Sequence, residues 1–117
     1  MTKNNVETAV AYYTAVGEKN IDCIEQYLHP DVQFIGPMAR LSGRKAVLEA
    51  TRNFAAFFKT LKIRTKVGSD DQVVVVYDLD DRIPAAVLMS FQNGAIAKLE
   101  LFYDARPFEK KRDEIFQ

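Results

Sequence analysis

The chain has 117 residues, 48% of them apolar, which is enough to pack one core without disulfides or metal staples. Sixteen basic residues balance sixteen acidic ones, so no global field would hold the protein on nucleic acid or an anionic membrane, and neither is expected as a partner. The lone Cys23 excludes an internal disulfide, and with a single histidine beside it no zinc or iron ligand spacing exists. No cofactor is expected, and a metal site would have to rest on carboxylates. No run is long and apolar enough for a secretory signal or a membrane span, so a cytoplasmic location is expected.

Taken in chain order, Val6, Ala9, Val10, Tyr13 and Val16 recur at helical spacing, with Gly17 as the stop. Asn20 caps a shorter helix that turns Ile21, Ile24, Tyr27 and Leu28 inward and ends before Pro30. Val32 to Ile35 reads as a brief strand, which Gly36 and Pro37 interrupt ahead of a rim loop through Met38 and Arg40. Ser42 is the expected cap of a long third helix in which Ala46, Val47, Ala50, Phe54, Phe57, Phe58 and Leu61 repeat every three or four positions.

From Leu61 the period becomes two. Leu61, Ile63, Thr65 and Val67 alternate with Lys62, Arg64 and Lys66, a half-buried strand whose basic row guards an edge. After a turn at Gly68 to Asp71, the β-branched run Val73 to Tyr77 reads as a central strand buried on both faces. Asp78, Asp80 and Asp81 lack the glycine and distal glutamate of a calcium loop and read as a solvated turn. Ala85 to Phe91 forms a further strand, and Asn93-Gly94 is a hairpin signal because both residues tolerate positive φ. The last strand, Ile96 to Asp104, sets Ala97, Leu99, Leu101 and Tyr103 on one face and Lys98, Glu100, Phe102 and Asp104 on the other. Beyond Pro107 the charged tail, with Ile115 and Phe116 near its end, reads as a short helix or a frayed terminus.

Two helices, a strand, a helix and then four strands joined by tight turns describe a single α+β domain over residues 1–117. Three N-terminal helices pack on one side of a curved, mainly antiparallel sheet. Apolar residues on both faces of the last three strands predict a second layer on the outer face, most simply a second copy, giving a homodimer through the sheet.

Several segments together carry a family resemblance: Ala11-Tyr12-Tyr13, Asn20-Ile21-Asp22, Leu28-His29-Pro30-Asp31-Val32-Gln33-Phe34, Gly43 before the long helix, and Leu101-Phe102-Tyr103-Asp104. In their order and spacing the chain resembles the SnoaL-like group of the nuclear transport factor 2-like superfamily. The resemblance implies a cone-shaped (cystatin-like) fold around an apolar pocket, in proteins many of which are dimers. It also implies a range of functions, from isomerases, dehydratases, epoxide hydrolases and cyclases to non-catalytic binding modules, so the residues must decide. Ketosteroid-isomerase chemistry needs a carboxylate base beside a tyrosine and a protonated acid. Tyr12 matches the tyrosine, but the base position falls on Gly36 and the acid position near Leu88, so that activity is disfavoured.

Glu100, if it faced the pocket, would be a carboxylate in apolar surroundings, suited to abstracting a proton; the alternative is a solvated member of a charge ladder with Lys98. Asp104 either lines the pocket mouth with Arg106 or Arg40 near it, or is a strand-end carboxylate satisfying backbone amides or an arginine. His29, the one imidazole, suits acid–base work, yet its place before Pro30 is equally explained by capping a helix end. Tyr12 and Tyr13 point about 100° apart on a helix, and Tyr12 is the one expected to offer its hydroxyl to the cavity. Phe34, Met38, Phe54, Phe58, Leu88, Ser90 and Phe102 are the candidate pocket lining; the alternative is that the same side chains fill the cone.

Three readings follow. The first is a pocket that binds a small, mostly apolar molecule, with Tyr12, Glu100 and Asp104 for polar recognition. The second is a cofactor-free isomerase, cyclase or dehydratase with Glu100 or Asp104 as base and Tyr12 at the oxyanion. The third is an interaction module that uses the sheet face. An outward Glu100 together with the lack of a cavity large enough for a ligand would remove the first two.

Overall fold

Asn4 opens the first helix by accepting the Glu7 backbone N–H on its side-chain oxygen at 2.8 Å, satisfying a donor the helix itself cannot. A computed structural model describes residues 4–115, so Phe116 lies outside the described residues. Helix α1 (Asn5–Gly17) is followed by a 3-10 helix (Ile21–Tyr27), strands β1 (Leu28–Ile35) and β2 (Arg40–Ser42), and helix α2 (Arg44–Ala55). The meander β3 (Leu61–Ser69), β4 (Gln72–Leu79), β5 (Ile83–Gln92) and β6 (Ala95–Tyr103) comes next, then a 3-10 segment (Arg106–Lys111) running into α3 (Arg112–Ile115).

The six strands make one sheet in the order β2-β1-β6-β5-β4-β3, antiparallel except where β1 runs parallel to β6. Register shifts between Leu28 and Gln33, Ile63 and Thr65, and Ser90 and Phe91 bend the sheet into a cone. Its concave face carries Val73, Val75, Tyr77, Val87, Met89, Ile96 and Leu99, all buried beneath α1 and α2. The Asn93-Gly94 hairpin is present, with φ of 52° and 82°.

Several local expectations are corrected. Gly17 does not supply the left-handed residue that ends α1; Lys19 does, at φ 65°, and Gly17 is needed because an added Cβ would press on Leu61. Gly43, at φ 94°, and not Ser42, stands at the cap of α2, while the Ser42 hydroxyl donates to Gln33 across β1 and β2. Helix α2 stops at Ala55, six residues before Leu61. The Lys19 ammonium reaches from α1 to the Ala55 and Phe58 carbonyls and lies 3.9 Å from the Phe58 ring centroid. The Asp80 carboxylate then accepts the Lys59 and Thr60 N–H groups at 2.8 and 2.9 Å. Of the acidic turn read as solvated, Asp80 therefore ties down the loop between α2 and β3, and Asp81 and Asp78 pair with Lys62 and Arg64.

The β3 bulge has the largest consequence. Leu61 and Ile63 face the core, but the extra residue reverses the alternation, so that Thr65 and Val67 lie opposite Val76 and Val74 on the convex face. Val67 is 63% exposed and Val74 38% exposed, so β4 is buried on one face of the protomer, not both.

Beside the bulged strand, Gly68 admits α1: an added Cβ would overlap Val6 Cγ2, a short β-branched side chain with little room to turn away. Gly68→Ala is expected to lower stability by about 1–3 kcal/mol, the usual cost of overpacking, read as a fall in the urea midpoint at unchanged slope. An unchanged midpoint would show that α1 can slide outward freely.

Candidate functional site

Between the helices and the concave face lies a narrow cavity of about 40 Å³, room for a few water-sized groups. Helix α1 contributes Tyr12, Tyr13 and Val16, and α2 contributes Ala50, Thr51 and Phe54. The sheet supplies Phe34, Leu61, Tyr77, Leu79, Ala85, Leu99, Leu101 and Tyr103. Hydroxyls are the only polar side-chain groups in this lining; no carboxylate, imidazole, amine or thiol belongs to it among the described residues.

The tyrosines form a chain. Tyr12 and Tyr13 meet edge to face with ring centroids 5.0 Å apart, and Tyr13 and Tyr77 lie 4.9 Å apart and share a hydrogen bond. Burial pushes the ionisation of Tyr12, Tyr13, Tyr77 and Tyr103 above the ordinary phenol range, with a hydrogen bond to Thr51 partly opposing it at Tyr12. These phenols therefore stay protonated at neutral pH. They suit hydrogen-bonding to a neutral ligand and are poor proton acceptors.

The sequence-nominated residues divide. Tyr12, Phe34 and Phe54 line the cavity. Met38 is buried in the core and does not form a rim, because Gly36 N–H bonds the Ala39 carbonyl and folds the segment back on itself. Phe58 is buried under Lys19, outside the lining. Leu88, Ser90 and Phe102 belong to the convex face: their neighbours Val87, Met89 and Leu101 take the inward positions. Glu100, opposite Leu88, also turns outward and pairs with Lys98 at 3.3 Å, so its expected place in the pocket is corrected. His29 accepts the Asp31 N–H on Nδ1 at 3.0 Å, shaping the start of β1 without capping a helix.

Asp104 ends β6, exposed, with its carboxylate accepting from the Arg106 backbone N–H at 3.0 Å and from the Arg106 guanidinium at 2.7 Å. Arg40 lies on the edge strand β2, opposite Ile35 and separated from β6 by β1. Tyr77 and Tyr103 also line the cavity, beyond the residues the sequence points to. The shared strand face of Leu99, Leu101 and Tyr103 is the signal for Tyr103; the continuous β-branched run around Tyr77 hides which of its faces is inward.

A model of the SnoaL-like domain matches residues 9–99. The chain belongs to the SnoaL-like domain family. An NTF2-like protein of unknown function from Cytophaga hutchinsonii is 19% identical, with a TM-score of 0.80 over 92% of this chain and 96% of that one. A steroid delta-isomerase from Pseudomonas aeruginosa is 18% identical (TM-score 0.78, 99% and 90% covered), and a putative polyketide cyclase from Sinorhizobium meliloti 17% (TM-score 0.74, 82% and 94%). Such identities establish the nuclear-transport-factor-2-like, cystatin-like fold. No curated protein matches the chain.

In this SnoaL-like domain Gly36 and Leu88, the residues matched in the sequence to the isomerase base and acid, bring no carboxylate to the cavity. Gly36 packs against Phe34 and Leu101, and Leu88 faces outward between the inward Val87 and Met89. Among the described residues no three His, Cys, Asp or Glu side chains are placed to hold a metal ion, and no helix is long and apolar enough to cross a membrane.

The Arg106 guanidinium and N–H hold the Asp104 carboxyl down at about 2, below its ordinary value of about 3.9. A depressed folded-state value means that the contribution is complete above about pH 4 and lost as pH falls through about 2. An NMR titration of the Asp104 carboxyl carbon is expected to show a midpoint near 2. Asp104→Asn is expected to speed amide exchange at Arg106 already at neutral pH. A midpoint near 4 would remove the clamp.

Proposed function

We propose that this SnoaL-like domain binds a small, neutral, mostly apolar molecule in its cone and does not transform it. The observation that carries this reading is the chemistry of the cavity wall: aliphatic and aromatic surface with protonated hydroxyls, while Glu100, Asp104 and His29 all stand outside it. Proton abstraction within the cone would need a base, and a phenol whose ionisation burial has raised is a poor one. The isomerase and cyclase relatives share the fold, and the cofactor-free isomerase, cyclase or dehydratase reading falls behind because its base is missing from the lining.

Tyr12 is the group assigned to polar recognition, since its hydroxyl has Thr51 as partner on one side and borders the cavity. A single hydrogen bond is worth about 0.5–1.5 kcal/mol, so Tyr12→Phe is expected to weaken a neutral hydroxylated probe such as 2-naphthol by roughly three- to tenfold. Calorimetry on wild type and variant reads this directly. Equal affinities would move recognition to another hydroxyl, and no saturable binding of any neutral probe would defeat the pocket reading.

The second part of the proposal concerns the convex face, where Val67, Val74 and Phe102 (63%, 38% and 59% exposed) adjoin half-buried Ile35, Val76, Ala86 and Leu88. The face also carries both members of the pairs Lys98–Glu100 and Arg64–Asp78, so two copies related by a twofold axis can present each sign to the other. This supports a homodimer through the sheet, and equally gives an interaction module its surface. Sedimentation at tens of micromolar (~ the range where stable dimers persist) is expected to give a dimer, and Phe102→Glu a monomer. A monomeric wild type would leave the face to another partner.

A further inference from the structure

Part of the chain outside the cavity lining packs against its wall. Phe108, only 4% exposed, sits against two of the wall residues, 5.3 Å from the Phe54 ring and 5.8 Å from the Tyr103 ring, the latter at 86° in edge-to-face contact. The segment bearing it is otherwise a charged ribbon: Glu109, Lys110, Lys111, Arg112 and Glu114 are all exposed. It is moored by Phe108, by the buried Ile115, whose carbonyl accepts from Asn53 Nδ2 at 3.3 Å, and by the Lys111 ammonium 4.7 Å from the Phe57 ring centroid. At its root the Asp104–Arg106 clamp fixes the turn out of β6.

Resting on the pocket reading above, we infer that Phe108 is an internal occupant of an aromatic subsite, and that the natural ligand carries an aromatic ring which replaces Phe108 between Phe54 and Tyr103 when residues 106–115 swing aside. The two rings that receive Phe108 are also walls of the cavity, so a ring seated there is continuous with the Tyr12 and Tyr77 hydroxyls deeper in the cone. A neutral aromatic molecule with one polar substituent satisfies both ends: quadrupole contacts at the mouth and a hydrogen bond within. A saturated molecule of the same size would fill the volume without the edge-to-face contact.

The resident ring acts as a competitor. A protein whose binding-competent state is a minor fraction binds with an affinity reduced by that fraction, and removing the competitor restores it. In Phe108→Ala, 2-naphthol is expected to bind at least tenfold more tightly than to wild type, and more tightly than its saturated counterpart decahydro-2-naphthol. Phe108→Leu, which keeps a buried apolar side chain without the ring, covers the event that the alanine variant unfolds, and is expected to fall between the two. In wild type, saturating 2-naphthol is expected to speed amide exchange across residues 106–115. Equal affinity for wild type and both variants, or saturable binding with no change in exchange over 106–115, would overturn the displaced-ring inference while leaving the pocket reading intact. Equal binding of the saturated probe would overturn the aromatic assignment. No binding of either probe to any of the three proteins would overturn both the inference and the pocket reading.

Discussion

The contact between Tyr13 and Tyr77 governs the interior. A phenol buried on both sides must give its hydroxyl a partner or lose the free energy of a hydrogen bond, and these two supply one another across the gap between α1 and β4. Their rings, 4.9 Å apart, set how closely the helix can approach the sheet, and Tyr12 extends the contact toward α2 through Thr51. Small residues complete the fit at the edges. Gly17 lies against Leu61 and Gly68 against Val6, so α1 comes close to β3 where there is no side chain to hold it off and is held at tyrosine distance over β4. The cavity is the space left between those two spacings.

Much of this architecture was legible from periodicity, and the exceptions have a common cause. The helix and strand order, the hairpin at Asn93-Gly94 and the inward face of Leu99, Leu101 and Tyr103 all follow from patterns a few residues long. The end of α2 does not. Phe57, Phe58 and Leu61 continue a helical stripe, but the Lys19 ammonium takes the Ala55 and Phe58 carbonyls and the Asp80 carboxylate holds the Lys59 and Thr60 N–H groups of the loop that follows, from 36 and 25 positions away from Ala55 in sequence. Likewise the strand from Leu61 alternates faithfully in sequence, and only the pairing with β4 reveals the bulge that carries Val67 to the other face. Local patterns specify elements; the long-range caps and bulges that decide where they end act between residues no local window contains.

The candidate site was less legible than the fold for a related reason. Alternation divides a strand into two faces without saying which one is concave, and for β6 both faces hold large apolar side chains. Glu100 was attractive as a base only on the assumption that its face turned inward. The register with β5 places it opposite Leu88 and paired with Lys98, on the convex side and away from the cavity. With the charges on the convex side, the polar side chains that line the cavity are hydroxyls.

A cone lined almost wholly by apolar atoms has a difficulty when empty: an open mouth would expose Phe54, Leu101 and Tyr103 to water. Docking Phe108 against Phe54 and Tyr103 covers part of both rings and buries Phe108 itself, so the free protein gains stability from that segment. The affinity of any incoming molecule is then its contact energy less the cost of exposing Phe108 and Ile115, and weak apolar solutes fail to meet that cost. A ring that reproduces the contacts of Phe108 and adds a hydrogen bond to a tyrosine meets it. Selectivity on this account comes from competition with the chain itself and needs no charged group in the cone, which agrees with a wall whose polar side chains are hydroxyls alone.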